Sequence, residues 1–339
     1  MHRSELTVDL GALRRNVRTL LHALEGSELW AVVKADAYGH GASDVAGAAL
    51  GAGASALCVA TVPEGLALRR EFATARIVVM GPSTNLEVSQ ARDAHLELVV
   101  SSGEIPGGMR VHLKLDTGMG RWGLSELPMP PIEVVGLMGH LATADTDAAY
   151  AEWQIERFRS ATLPYSHLTR HIANSAAALR YPSARFDAAR CGVALYGLSP
   201  FGTDPADDGL EPVLTWTSHV AQTRMLRAGD STGYGRRFVA ERETWIGIVP
   251  IGYADGFRRD LTGTIVRVAG EPRHVVGTVS MDAFAVELDR DLPVGSPVTV
   301  LGRGVLIEEH ARVAGTINYE LACGINSSPL RARRMVVDG

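Results

Sequence analysis

Along residues 1–205 short apolar runs alternate with helical stretches and turns. This alternation limits the fold more than any other feature of the chain. The runs are Leu29–Val33, Leu57–Ala60, Ile77–Met80, Leu96–Val100, Val111–Leu115, Val134–Met138, His167–Ile172 and, more weakly, Phe186–Arg190. Each is too short for a helix and several are rich in valine, so they read as buried strands. Helical stretches such as Val62–Arg70 and Ala148–Ala161 separate them. Ahead of them Asp9 is placed to cap an amphipathic helix through Leu13, Val17, Leu20, Leu21 and Leu24. Strands alternating with helices at this spacing predict a parallel sheet. About eight such units suggest a closed barrel with its chemistry at the carboxyl ends of the strands; an open doubly wound sheet fits the same pattern. The character changes near Pro200. Pro200 to Pro212 is rich in Gly, Pro and Asp and reads as a linker. Beyond it Leu214–Val220, Trp245–Ile251, Thr264–Val268, Val275–Val279, Phe284–Leu288 and Pro297–Leu301 read as short strands divided by turns. The expectation is an α/β chain with a (β/α)8 TIM-like barrel over residues 1–205 and a mostly β domain over 206–339.

Composition narrows the function. A hydrophobic content of 46% against 21% charged residues permits a large buried core. The net charge is −5 and no basic run is present, so neither nucleic acid nor a membrane surface is expected as a partner. No apolar stretch approaches the ~18 residues of a membrane span, and MHRSELTVDL lacks the apolar core of a signal peptide. Cys58, Cys191 and Cys323 show no metal-binding spacing, so no metal is expected and the thiols read as reduced in the cytoplasm.

The stretch AVVKADAYGHG holds the candidate chemistry. Lys34 comes directly after a buried strand and opens a turn of small residues and glycines. A lysine at a strand end can snorkel to water. One that is desolvated has a depressed pKa and can attack a carbonyl. Tyr38 and the glycines after it favour the second reading, because they let backbone approach an anion closely. Farther on, Asn174-Ser175 precedes Ala176, Ala177, Ala178 and Leu179. That is a helix start, either a plain N-cap or an anion site.

AVVKADAYGHG resembles the pyridoxal-phosphate attachment segment of the alanine racemases, and the resemblance recurs along nearly the whole chain. It implies a barrel followed by a β domain, pyridoxal 5′-phosphate as cofactor, and alanine as substrate. It also implies a cytoplasmic homodimer supplying D-alanine for peptidoglycan. Lys34 would bind the cofactor covalently, and Tyr38 would touch its phosphate. HIANSAAAL, RCGVALYG and TINYELACG match the segments that hold the phosphate, which brings in Asn174, Ser175, Gly192, Val193 and Tyr319. Arg190 matches the arginine facing the pyridine nitrogen. Arginine can only donate, so that nitrogen would stay unprotonated, which suppresses transamination. His140 in GHLATAD and His171 in HIANS match residues near the ring that orient this arginine.

Racemisation needs a proton removed from one face of Cα and returned on the other, so two bases are expected. Lys34 would be one. STGYGRRF matches the segment carrying the second, Tyr234, whose phenol would need a cation such as His171 or Arg190 to act near neutral pH. KLDTGMGRWG supplies Lys114, often carbamylated in the family, and Arg121, which would meet the substrate carboxylate. GYADGFRRD and VGTVSMDAF supply Tyr253, Met281 and Asp282, which would reach the site from a neighbouring subunit. The chain departs from the family pattern at Cys191, where proline is usual, at Gly139, and in INSSPLRARRMVVDG at the end. It is also somewhat short. The alternatives are a broader amino-acid racemase, a decarboxylase of the same fold, and a cofactor carrier with the barrel alone. A decarboxylase would be expected to place an acid where this chain has Arg190, and a carrier would lack the β domain.

Overall fold

The computed structural model describes residues 2–339. The chain divides into two compact units. One holds Leu13–Phe201 and Ala206–Glu211; the other holds Met1–Ala12, Gly202–Pro205 and Pro212–Gly339.

Strand β1 (Glu5–Asp9) leads into helix α1 (Leu10–Leu24), whose start is fixed by Asp9 Oδ1 accepting from Ala12 N at 3.0 Å. The barrel strands follow: β2 (Glu28–Val32), β3 (Ala56–Val59), β4 (Ile77–Val79), β5 (Glu97–Val100), β6 (Val111–Lys114), β7 (Val134–Met138), β8 (Thr169–His171) and β9 (Ala188–Cys191). All eight expected runs are strands. They form one parallel sheet in the order β8-β7-β6-β5-β4-β3-β2-β9. Two backbone bonds, Asp187 N to Arg170 O and Arg190 N to Ala173 O, each 3.0 Å, bring its two ends together. The sheet is therefore a nearly closed barrel and not an open one. Every residue of β3, β4, β5 and β6 is buried, so these strands show no alternation of buried and exposed positions, and β3 and β4 read as continuous apolar runs.

Helices α2 (Ala42–Gly51), α3 (Val62–Glu71), α4 (Asn85–Asp93), α5 (Ala148–Thr162) and α6 (Ser175–Arg180) follow β2, β3, β4, β7 and β8. None follows β5 or β6. There Pro106, Gly107 and Gly108, and then Gly118, Gly120, Gly123 and Pro128, interrupt any helical run. Part of the expected linker is tethered to the barrel. Asn16 Nδ2 donates to Glu211 O, and Glu211 N donates to Asn16 Oδ1, both at 2.8 Å.

The other unit contains β10 (Leu214–His219), β11 (Gln222–Leu226), β12 (Ser231–Thr232), β13 (Phe238–Val239), β14 (Thr244–Val249), β15 (Ile265–Val268), β16 (Glu271–Val276), β17 (Phe284–Leu288), β18 (Pro297–Leu301) and β19 (Arg333–Val337). Nine strands run in the order β11-β14-β17-β16-β15-β18-β10-β1-β19, with β12 and β13 as a separate pair. The sequence reading omitted helices α7 (Ile307–Ala314) and α8 (Asn318–Gly324). It also set one strand at Val275–Val279 where β16 runs Glu271–Val276. The distinctive C-terminal residues become β19, which pairs in parallel with β1. The first strand of the chain thus belongs to the β unit, although the barrel follows it in sequence.

Candidate active site

Lys34 is the second residue after β2, at the carboxyl end of the barrel. The chain then winds the wrong way: Ala35, Asp36, Ala37 and Tyr38 all have φ between 50° and 56°, and Gly39 has φ of 82°. Such a left-handed turn strains every residue with a Cβ. Several hydrogen bonds hold it. Ala37 N donates to Val33 O at 3.0 Å and Gly41 N to Asp36 O at 2.9 Å. The Asp36 carboxylate accepts from Ala42 N at 2.8 Å, and His40 Nδ1 lies 3.0 Å from Ala37 O. Glu64, on α3, accepts from Ala35 N at 2.7 Å with one oxygen and from Ala60 N at 2.8 Å with the other. Buried Tyr196 lies 4.9 Å from the Tyr38 ring, stacks on His40 and donates to Val32 O at 2.7 Å.

Arg190 is buried on β9 with a partner for each terminal nitrogen. Nη1 reaches His171 Nδ1 at 2.6 Å and His171 O at 2.8 Å; Nη2 donates to Gly139 O at 2.8 Å. Burial lowers its pKa to about 10, so it stays cationic at neutral pH. His171 Nε2 meets His112 Nδ1 at 2.9 Å, and His112 Nε2 meets Glu97 Oε2 at 2.8 Å. Arg76 and Arg110 close the chain on Glu97 at 2.9 and 2.7 Å. Both ring nitrogens of His171 are thus engaged inside the barrel. That corrects the expectation of His171 as the cation beside the tyrosine: both its nitrogens are taken, by Arg190 and His112, and burial keeps it well below the usual histidine range. Burial, followed by the Arg190 charge, holds His171 and His140 well below the usual histidine range. His140 Nδ1 lies 3.4 Å from Arg190 Nη2, and its backbone carbonyl is held by Gln154 of α5 at 3.2 Å.

Around these groups positive charge accumulates. Buried Lys114, the last residue of β6, has its pKa lowered to about 8 by burial and then by Arg190 and Arg121, with Lys34 adding to the effect. Asp116 is the acid that opposes this shift. Lys114 and exposed Arg121 both lie over the Trp122 ring, at 5.5 and 5.1 Å. DTG is a loop folded back on β6: Asp116 accepts from Gly118 N at 2.9 Å and Gly120 N at 3.1 Å.

Ser175 is buried, and its hydroxyl accepts from Gly192 N at 3.0 Å and Ala194 N at 3.4 Å. A Cβ at Gly192 would sit 2.5 Å from Tyr38 Oη, so only glycine leaves that space open. Val193, the next residue, is buried. Asn174 caps α6, its Oδ1 accepting from Ala177 N at 3.0 Å.

The β unit gathers a second group on loops joined through residues 277–282. Thr278 Oγ1 donates to Tyr234 O at 2.8 Å, Tyr253 N to Ser280 O at 3.0 Å, and Ala254 N to Met281 O at 3.0 Å. Tyr234 is 71% exposed, Met281 53% and Tyr253 44%, an unusual presentation for three large side chains in one neighbourhood. Asp282 accepts from Arg331 Nη2 at 2.8 Å. Tyr319 lies half-buried in the first turn of α8. No cluster of metal-binding side chains occurs among the described residues.

The family model for the alanine racemase N-terminal domain matches residues 8–200, and that for the C-terminal domain matches residues 213–334. The chain belongs to the alanine racemase family. Alanine racemase 1 of Bacillus subtilis (strain 168) is 39% identical over 98% of this chain and 92% of its own length. The alanine racemase of Lactiplantibacillus plantarum is 37% identical over 95% of each. Among solved structures, the alanine racemase from Streptomyces coelicolor A3(2) superposes with a TM-score of 0.91 at 37% identity over 99% of this chain and 98% of its own. The biosynthetic alanine racemase from Pseudomonas aeruginosa gives 0.91 at 34% over 99% and 100%. As a member of the alanine racemase family the protein is an isomerase.

Within this alanine racemase fold, sequence reasoning missed Glu64, Glu97, His112 and Tyr196. One sequence signal pointed to Glu64: Thr61-Val62-Pro63-Glu64 is a capping box, and Glu64 reaches past it to the lysine turn. Glu97 and His112 lie on separate strands and carry no local signature.

Proposed function

We propose that the protein interconverts L-alanine and D-alanine with pyridoxal 5′-phosphate bound at Lys34. The observation that carries this reading is the grouping of Lys34, Lys114 and Arg190 with the Gly192 cradle in the barrel unit. A lysine whose pKa is lowered by burial and then by the charges of Arg190, Arg121 and Lys34, with one nearby acid, suits a ligand carrying a phosphate beside a substrate carboxylate. The space kept open at Gly192, beside Tyr38 Oη and the Ser175 hydroxyl, suits the phosphate. When bound, the cofactor supplies an electron-withdrawing ring that acidifies the substrate Cα–H.

In this reading the chain's own residues divide the work. Tyr38, Asn174, Ser175, Gly192, Val193 and Tyr319 hold the phosphate. Arg190, oriented by His171 and flanked by His140, donates to the ring nitrogen and keeps it unprotonated. Lys34 Nζ moves a proton on one face of Cα, and Tyr234 Oη on the other. Arg121 and Met281 meet the substrate, supported by Lys114, Tyr253 and Asp282. The exposure of Tyr234, Tyr253 and Met281 supports a homodimer in which each subunit lends these side chains to its partner's site. D-alanine made in the cytoplasm would serve peptidoglycan synthesis. No helix among the described residues is long and apolar enough to cross a membrane.

The test is a racemisation assay on L-alanine, read by circular dichroism and chiral chromatography, beside an absorption spectrum of the purified protein. Wild type should form D-alanine and show the visible band of a lysine-bound cofactor. Lys34→Ala should lose both, and a variant that retains the band would rule out Lys34 as the attachment point.

A further inference from the structure

Four buried side chains cross the barrel in single file from Arg190 through His171 and His112 to Glu97. Their donor inventory admits one arrangement of protons. Arginine has donors only, so at 2.6 Å His171 Nδ1 must accept. A ring whose Nδ1 accepts carries its proton on Nε2. His171 Nε2–H therefore donates to His112 Nδ1 at 2.9 Å. His112 must in turn carry its proton on Nε2 and donate it to Glu97 Oε2 at 2.8 Å. A doubly protonated His112 would place a donor against the Nε2–H of His171, so both rings are neutral.

Glu97 is the only member of the file that accepts and never donates, provided it is ionised. Burial opposes that ionisation, but the hydrogen bond from His112 and the charge and hydrogen bond of the Arg76 guanidinium outweigh it and hold the carboxyl below the usual carboxylate range. Burial keeps His112 below the usual histidine range, which agrees with a neutral ring. The surroundings are shaped to this file. Trp30 packs 4.5 Å from His171 and edge-on to His112 at 5.6 Å, with Arg76 over its indole at 4.5 Å. A Cβ at Gly136 would lie 2.2 Å from His112 Nδ1, so β7 has no side chain where the file passes.

We infer that Glu97 and His112 are positioning residues: they fix the tautomer of His171, and through it the aim of the Arg190 guanidinium at the carboxyl end of the barrel. This rests on the reading above that Arg190 faces the cofactor ring nitrogen. Without the carboxylate, the proton on His112 can move to Nδ1. His171 then presents Nδ1–H to Arg190, donor against donor, and the guanidinium must turn away.

The experiment is ¹⁵N NMR of protein labelled at the histidine ring nitrogens, recorded with and without pyridoxal 5′-phosphate. Signals are assigned with His112→Gln and His171→Gln. Wild type should show both histidines neutral, with the proton on Nε2, in either sample. Glu97→Gln, whose amide can donate to His112 Nε2, should populate the Nδ1–H form. It should lower racemisation kcat by up to about 10²-fold, the scale of a misplacement far from the chemistry, with KM for alanine nearly unchanged. Glu97→Asp keeps the charge and should keep the tautomers and a kcat close to wild type; it replaces the glutamine variant if that one fails to fold. A wild-type His171 protonated on Nδ1 or on both nitrogens would overturn the inference. So would a change of charge at residue 97 that shifts the tautomers and leaves kcat unaltered, or an aspartate variant that loses kcat with its tautomers intact. Failure of the ring-nitrogen reading shows separately. In that case ¹⁵N-labelled cofactor bound to Arg190→Lys would have an unchanged pyridine-nitrogen shift, while the histidine signals of wild type still report the direction of the file.

Discussion

Replacing Glu64 with alanine should destabilise the barrel and impair cofactor uptake together. Four consecutive residues with a Cβ, Ala35 to Tyr38, are held in the left-handed region. At ~1–2 kcal/mol each, the turn stores about 4–8 kcal/mol. Glu64 offsets part of this through Ala35 N at 2.7 Å, Ala60 N at 2.8 Å and Thr61 N at 3.1 Å. Hydrogen bonds to a charged group contribute ~1.5–3 kcal/mol when well shielded. Those to Ala35 and Thr61 are solvent-exposed, so a value near 1 kcal/mol each, about 3 kcal/mol in all, is the better figure. For a unit the size of the barrel that corresponds to a fall in Tm of about 6–12 °C. Glu64→Gln keeps one accepting oxygen and should fall between the parent and alanine. Differential scanning calorimetry of cofactor-free protein measures the shift. Titration with pyridoxal 5′-phosphate, followed at the visible band, measures how well Lys34 is still presented. An unchanged Tm with unchanged uptake for Glu64→Ala would refute the view that this side chain holds the turn.

Tyr234→Phe should separate the two faces of Cα. Cα-deuterated D-alanine should still exchange its label with solvent through Lys34, while the L enantiomer exchanges slower by ~10²–10⁴-fold; equal exchange of both would remove Tyr234 as the second base. Lys114→Met should stabilise cofactor-free protein at neutral pH. The folded pKa of Lys114, about 8, lies below the unfolded value of 10.5, so wild-type stability rises with pH between those limits. The gap between the two proteins should therefore close over that window, and a gap that stays constant in urea-unfolding series would show that Lys114 is not desolvated.

The barrel was legible because strands buried on both faces leave short apolar runs; β8, TRH, is only three residues long and partly buried, and showed through the Leu168 and Ile172 that flank it. In the β unit, β11 escaped notice because QTRML is mostly exposed and lies at an edge of the sheet. Strand β19, RRMVV, reads as a polar tail until β1 is beside it. Lys34 was visible from its place at the end of a buried run. Its left-handed turn was not, since Ala35, Asp36 and Ala37 give none of the glycine signal that such dihedrals normally demand. Glu97 and His112 were silent for a different reason. Each is unremarkable on its own strand, and only the register of β5 with β6, Val99 opposite His112, sets them on one path.

The barrel joins its first strand to its last. Strand β2, which delivers Lys34, is flanked on one side by β3 and on the other by β9, the strand of Arg190. Between the end of β2 at Val32 and the start of β9 at Ala188 lie 155 residues. At ~5–20 residues per second, a ribosome needs about 8–30 s to make them. Throughout that interval the β9-facing edge of the lysine strand has no partner, an open template for other chains. Lys34 and the arginine on the strand beside it are thus brought together in the last step of barrel closure. A nascent chain stalled before β9 carries the whole AVVKADAYGHG segment with no completed pocket behind it.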